Sequence, residues 1–177
     1  MRRNNVRRCA FAVAISLVVC LCSPYVVLAA DDSTVIIQSP EDFVRFSQNC
    51  SLDTWSHGKS IVLKNDIDLS QTDFSPVPTF GGTFDGGGHT ITGLSLSGVT
   101  SYQGLFRFIQ TNGVIKNLHV SGTVSAVEEQ ERIGGIAGSN NGVILDCSFA
   151  GSVSGIQAVG GIVGINAALG TIYSCIS

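Results

Sequence analysis

The sequence predicts an all-β fold: a parallel β-helix, or solenoid, with a short N-terminal capping helix and an incomplete last coil. Three observations carry that expectation. The first is an internal repeat. Gly134-Gly-Ile-Ala-Gly138 returns as Gly160-Gly-Ile-Val-Gly164, 26 residues on, and Gly142-Val-Ile-Leu-Asp-Cys147 returns as Gly170-Thr-Ile-Tyr-Ser-Cys175, 28 residues on. A third copy lies upstream: Gly113-Val-Ile-Lys-Asn-Leu118 followed by Ser121-Gly-Thr-Val-Ser125 matches Gly142 to Cys147 followed by Ala150-Gly-Ser-Val-Ser154 at a spacing of 29. Repeats of this length mean stacked units, each burying its apolar face against the next. The second observation is period. From Gly142 to Ser154 apolar residues alternate with small or polar ones, Val143, Leu145, Cys147 and Phe149 falling on one parity, which is the period of a strand. The third is glycine. Each of the many glycines in the repeats would cost about 1 kcal/mol inside a helix, which excludes a helix-pair solenoid. Two or three short strands per turn, with Gly or Asn at corners needing positive φ, describe a β-helix coil instead.

Residues 1–29 read as a secretory signal peptide. Arg2, Arg3, Arg7 and Arg8 form a basic start, Cys9 to Cys22 an apolar stretch, and Val27-Leu28-Ala29 a small-residue exit before Asp31 and Asp32. Cleavage is expected after Ala29, with Ala30 the alternative. Val19 and Leu21 precede Cys20 and Cys22 where a lipid-modified cysteine would follow Gly or Ala. The apolar run falls short of the roughly 20 residues a bilayer span needs, so no stable membrane span is expected and the chain reads as secreted or held at the cell surface. Of ten basic and 13 acidic residues, four arginines leave with this leader and no acid does, so six face 13 and the mature net charge is −7. That excludes nucleic acid as a natural partner.

Three cysteines remain, Cys50, Cys147 and Cys175. The last two share a repeat position, which in a parallel stack places them about 4.8 Å apart with Leu118 next in the column. That geometry admits a disulfide, but the favoured reading is an interior ladder of small apolar side chains.

The segment 30–60 opens with the helical signal: Ser39 as N-cap, Pro40 at the first helical position, Glu41 and Asp42 in the first turn, then Phe43, Val44 and Phe46 as an apolar face. Such a helix would cover the open end of the first coil, whose core and strand edge need covering. Asn49 to Lys59 is polar and loop-like. Within it Trp55 could stack on a sugar, although an aromatic beside a capping helix more often packs against it.

The repeats proper are expected over 61–177. Ile61 to Leu69 reads as the first firm strand. Asp66 and Asp68 share a face by strand parity, and with Asp73 and Asp85 they could be imagined as oxygen ligands for calcium or as an acid–base pair. The plainer reading is that Asn65, Asp66 and Asp68 bond backbone groups at a corner, and no loop with regular ligand spacing is present. Phe80-Gly-Gly-Thr-Phe-Asp-Gly-Gly-Gly-His-Thr-Ile91 is no phosphate loop, because neither Lys-Ser nor Lys-Thr follows Gly88 and no helix opens after it. A tight turn between two strands accounts for it. Glu128-Glu-Gln-Glu-Arg132 reads as a solvated loop between coils.

Taken together, Ser39 to Ser47, Ile61 to Leu69 with Asn-Asp-Ile-Asp-Leu, Gly82-Thr-Phe-Asp-Gly-Gly-Gly-His-Thr-Ile-Thr-Gly-Leu94, Gly104-Leu-Phe106, Gly113 to Leu118 and the two Gly-Gly-Ile-(Ala/Val)-Gly segments resemble the GLUG-motif repeat region of bacterial surface proteins. The resemblance spans nearly all of the mature chain. It implies a right-handed parallel β-helix on secreted or cell-wall proteins, often adhesin-like ones, in some cases ahead of immunoglobulin A-cleaving metallopeptidase domains, with no catalytic residue in the repeats. The Asp85-Gly-Gly-Gly-His-Thr-Ile91 turn is also similar to one in pectin-lyase-like β-helices. That similarity keeps a polysaccharide-acting enzyme as the alternative, with Asp66, Asp68, Asp85 and His89 as its best acids and base.

His57, His89 and His119 are isolated, and no His-Glu-x-x-His occurs, so a metallopeptidase would lie beyond Ser177. The chain stops before the Gly-Ser-Val segment that follows Cys147, and Asp146 is the one formally charged residue between Ile133 and Ser177. The expectation is an unfinished, uncapped last coil of a longer protein. The leading expectation for function is a non-catalytic surface module without cofactor, metal site or catalytic residues. Its partners would be a host glycan or protein, or further copies or segments of the same protein through the open C-terminal coil.

Overall fold

In the computed structural model, residues 33–98, 100–126 and 131–177 are described. The expected leader, residues 1–29, and the Glu128 to Gln130 part of the expected loop lie outside them. The described chain is a parallel β-solenoid of about five turns carrying one helix. Strand β1 (Thr34–Ile37) precedes helix α1 (Pro40–Asn49). The first coil is β2 (Ser60–Leu63), β3 (Ile67–Asp68) and β4 (Val77–Phe80), and the second is β5 (Thr83–Asp85), β6 (Thr90–Gly98) and β7 (Phe106–Ile109). The third coil, β8 (Val114–Lys116), β9 (His119–Ala126), β10 (Glu131–Gly134) and β11 (Ala137–Asn140), gains a fourth side. The fourth coil repeats it with β12 (Val143–Leu145), β13 (Ser148–Ser154), β14 (Gln157–Gly160) and β15 (Val163–Asn166). A further turn begins with β16 (Thr171–Tyr173) and an isolated bridge from Ile176 to Ser148.

Equivalent strands stack in register into parallel sheets. One runs β1-β2-β5-β8-β12-β16, a second β3-β6-β9-β13, a third β4-β7-β11-β15, and β10 pairs with β14 on the added side. The sequence repeats are these pairings: Gly134 stands against Gly160, and Val143 lies between Val114 and Thr171. Interior columns follow, such as Ile61, Phe84, Ile115, Ile144 and Ile172 on the first sheet. Burying such side chains in successive layers supplies the hydrophobic stabilisation that a single coil could not.

The helix forms for the reasons its sequence states. The Ser39 hydroxyl accepts from the Asp42 N–H at 3.2 Å, Pro40 opens the first turn, and Phe43 and Phe46 are buried. Both rings join an aromatic cluster with Phe80, Phe84 and Phe106 inside the first coils, at centroid separations of 5.5 to 6.5 Å. The cap is therefore anchored in the core and does not merely cover it. Before it, β1 adds a strand to the first sheet through pairing with β2, which the sequence reading of 30–60 left out, although Thr34-Val-Ile-Ile is a β-branched run.

Two expectations need correction. Strict alternation from Val143 to Phe149 fails, because Ile144 is the interior residue of β12 while Val143 and Leu145 are half-buried. Asp146 then takes left-handed backbone (φ 51°), so Cys147 and Phe149 point inward again. The corner resets the parity. Asn117 (φ 52°) and Ser174 (φ 52°) do the same in neighbouring coils, and Asn and Asp are the residues that tolerate this region best after glycine. The second correction concerns Glu131 and Arg132, which belong to β10 and not to a loop. Ile133 is fully buried beside them, and Glu131 pairs with Gln157.

Candidate functional site

Most residues singled out as chemical candidates are taken up by the corners of the coil. Asp66 accepts from the Thr90 N–H at 2.9 Å and lies 3.2 Å from His89 Nδ1, and these contacts, the Thr90 N–H first, hold its carboxyl below the ordinary range. Asp68 is held low by the Ser70 N–H, which it accepts at 2.9 Å. Asp85 accepts from the Gly87 N–H and from Asn117 Nδ2 in the next coil and is paired with Lys116 at 3.0 Å. The glycine run is a turn between β5 and β6, closed by the His89 N–H on the Gly86 carbonyl at 2.9 Å. His57 meets Gln110 Oε1 at 2.6 Å and His119 meets Ser148 Oγ at 2.7 Å. Asp73 is exposed on the rim of a depression shared with Glu41. Among the described residues no three His, Cys, Asp or Glu side chains gather as metal ligands.

Trp55 is half-buried, its ring 6.3 Å from Phe46 with the Lys59 ammonium 5.4 Å from the ring centre. It packs against the cap helix. Cys147 and Cys175 are unbonded thiols in the expected column, and their S–H groups donate to the carbonyls of Leu145 and Tyr173, two residues back in each case.

The feature that coil geometry leaves unexplained is a groove of ≈ 430 Å³ at the corner between the second and third sheets. It falls in the range of ligand sites. Its walls are Phe74, Pro76 and Pro78 on one side, Ser95 and Ser97 of β6 on another, and the Thr100 to Gln103 segment with Arg107 on the third. Each wall follows from local sequence. Arg107 lies on β7 between Phe106 and Phe108, which are paired with Val77 and Thr79 of β4, so it stands beside Pro78. Gln103 is buried and donates from Nε2 to the Thr100 carbonyl at 2.9 Å, folding that segment back against the coil.

Arg107 donates from Nη2 to the Ser101 carbonyl at 3.3 Å and stacks its guanidinium 5.8 Å from the Phe108 ring centre. Its Nε is buried without a hydrogen-bond partner, and among the described residues it has no carboxylate partner. A buried donor left unmade is costly. Among the described residues no Asp or Glu lines the groove, although acids outnumber bases in the chain.

Beside the groove, Tyr102 stacks on Phe108 at a ring-centre distance of 4.5 Å, and Arg132 covers Tyr102 at 4.8 Å while pairing with Glu131 at 3.1 Å. Tyr102 and Arg132 both have positive φ, 62° and 69°. The bridge from Gln103 to Ile133 and the pairing of Ile133 with Val159 put Tyr102, Arg132 and Ala158 in one column, and Ala158 shares the conformation (φ 50°). The conformation is thus a property of the corner. Holding Tyr and Arg there, where Gly or Asn would be unstrained, costs about 1–2 kcal/mol per residue.

The sequence alone does not single out Arg107, Tyr102, Phe108 and Arg132. Two signals are present: Arg107 and Arg132 are two of the three arginines after residue 29, and Pro76-Val-Pro78 marks an edge strand by its alternate prolines.

Comparison with known proteins adds one relationship. Part of the chain is similar to Halomucin of Haloquadratum walsbyi (strain DSM 16790 / HBSQ001), 32% identical over 127 residues that make up 63% of this chain and 1% of Halomucin. The chain therefore spans about 1% of the length of that relative. No family model matches it, and no solved structure matches it. No helix among the described residues is long and apolar enough to cross a membrane.

Proposed function

We propose that the chain is a non-catalytic repeat module of the GLUG-motif kind, exported and displayed at or released from the cell surface, where it presents an adhesin-like binding face. One observation carries this reading. The acids and histidines that could do chemistry spend their polar atoms on the coil's own corners, whereas the groove beside Arg107 holds a cation that no described carboxylate neutralises. A solenoid suits such a role because its rigid flank holds a binding face at a fixed distance from whatever carries it. The similarity to a short part of Halomucin supports a place within larger proteins.

The test has two parts. The native product is recovered separately from the surface and medium fractions and its intact mass measured; absence from both fractions overturns the exported reading. The purified chain is then incubated with acidic and neutral polysaccharides, and appearance of new chain ends, lost in Asp85→Asn or His89→Ala, overturns the non-catalytic reading in favour of a polysaccharide-acting enzyme.

A further inference from the structure

We propose that the groove takes an extended polypeptide strand from a partner protein, which adds a rung to the second sheet on the open edge of β6. The proposal rests on the binding-module reading and gives its groove a ligand class. The groove is the place of a strand that the first coil lacks. On the second side β6 runs to Gly98, β9 to Ala126 and β13 to Ser154, whereas β3 ends at Asp68. The register shows the consequence: β3 covers only Ile91 and Thr92 of β6, while β9 pairs with β6 as far as Gly98. The last bond from the first coil is the Leu69 N–H on the Thr92 carbonyl at 2.9 Å. Thr72 then turns the chain, its N–H and hydroxyl both donating to the Leu69 carbonyl, and the coil rejoins the stack where the Val77 N–H meets the Leu105 carbonyl. Between those points it crosses the corner through Phe74 and Pro76, which wall the groove.

Main-chain direction identifies the occupant. Along a strand the N–H and C=O groups of successive residues point to alternate neighbours. The Leu96 carbonyl faces β9, since it accepts from Ser125 Oγ at 3.3 Å, and the Leu94 carbonyl lies against Gly122 of the same strand. Ser95 and Ser97 line the groove and therefore aim their N–H and C=O groups at the other edge, where among the described residues no strand lies. Pro76 and Pro78 have no N–H to offer them. An extended peptide repeats the complementary groups at the same spacing, which is how open sheet edges capture one. Ser95 to Gly98 offer roughly 10 Å of edge, so the site holds a short segment. Its side chains would extend the existing columns. Ser95, Thr123 and Ser152 form one exposed column and Ser97, Ser125 and Ser154 a second outward one, with Leu96, Val124 and Val153 facing in between them. The segment that continues these columns carries Ser or Thr on either side of one apolar residue, as Thr123-Val-Ser125 does.

The test is an amide-resolved NMR titration of the full chain with an end-blocked peptide that copies Gly122 to Ala126. Without peptide, the Ser95 and Ser97 amides should exchange with solvent at least about tenfold faster than the Leu96 amide. The peptide should shift and protect those two amides first. Lying parallel like every other rung, it would donate its Val N–H to the Ser95 carbonyl, so N-methylation of that Val should weaken binding at least about tenfold, the worth of one or two hydrogen bonds. Ser97→Pro removes an N–H that faces the groove and none that β9 uses, so it should keep the fold and lose the peptide. If that variant melts early, the N-methylated peptide on the wild-type chain decides. Ser95 and Ser97 amides already protected without peptide, equal binding of the N-methylated peptide, or binding of a galacturonate hexamer with the peptide inert overturns the proposal. A silent peptide titration beside a chain still recovered from the surface fraction and still adhering sinks this site alone, whereas absence of the chain from both surface and medium fractions sinks the module reading.

Discussion

Tyr102 and Arg132 occupy the same corner of successive coils, both in left-handed backbone, with the Arg132 guanidinium 4.8 Å from the Tyr102 ring centre. The pair sets a conformational cost against a contact. Arg132→Gly relieves the strain while losing a cation–π contact of about 0.5–1 kcal/mol and a half-exposed ion pair of similar size or less. Its stability in chemical denaturation is expected within about 1 kcal/mol of wild type. Arg132→Ala loses the same contacts and keeps the strain, so it should fall below the glycine variant by about 1 kcal/mol. Equal stability of the two variants contradicts a left-handed corner at this position.

Gly151 follows from the closeness of coils. Its φ is +151°, and a Cβ there would collide with the Gly122 carbonyl oxygen of the coil before, just as one on Gly122 would collide with Leu94. Backbone cannot retreat as a flexible side chain can. Gly151→Ala is expected to cost about 2–4 kcal/mol, read as a lower denaturation midpoint, with a wild-type midpoint refuting the close approach.

Asp85 predicts a pH dependence. Burial works to raise its carboxyl, but Asn117, the Gly87 N–H and Lys116 outweigh that and hold it below its ordinary value. A group with a depressed folded value contributes stability above the unfolded value and loses it as pH falls through the folded one. The stability gap between wild type and Asp85→Asn should therefore be level above roughly pH 5 and close as the pH falls below the ordinary carboxylate range, near 3.9. A gap that stays constant down to pH 2 would show that the carboxylate charge is not what stabilises this corner.

The cysteines should react in order of burial. Cys50 and Cys147 are buried, and desolvation pushes each thiol up to about 12, so almost no thiolate exists at pH 8 to attack a reagent. Cys175 sits half-buried in the last turn. Mass-resolved alkylation of the folded chain should modify Cys175 first and Cys147 only on unfolding; rapid modification of Cys147 would be inconsistent with the interior ladder.

Trp55 separates packing from recognition. Its ring lies against Phe46 and under Lys59. Trp55→Ala should lower stability by about 1–3 kcal/mol and behave like wild type in any glycan-binding assay. A loss of affinity without a loss of stability would reinstate Trp55 as a sugar platform.

The stack, the cap and the ladder were legible from the chain alone, because each is written in local residue types repeated at coil spacing. Ser39-Pro40-Glu41-Asp42 names a helix start, and Gly134 and Gly160, or Cys147 and Cys175, share a position because one coil must superpose on the next. The hydrogen bonds that Asp66 accepts from the Thr90 N–H and Asp68 from the Ser70 N–H likewise suit short acidic side chains at corners. Parity around Asp146 was not legible, since a single left-handed residue reverses the side-chain direction of everything after it and the sequence carries no mark of that reversal beyond an Asp. The groove was hidden for a different reason. Phe74, Pro78, Ser97, Tyr102 and Arg107 come from separate strands and a fold-back segment, and no spacing along the chain brings them together. Which residues stack follows from the chain alone, because stacking repeats a local pattern. Which side chains meet across the flank is set by the folded coils, because that depends on where each corner turns and how far each coil is offset from the last.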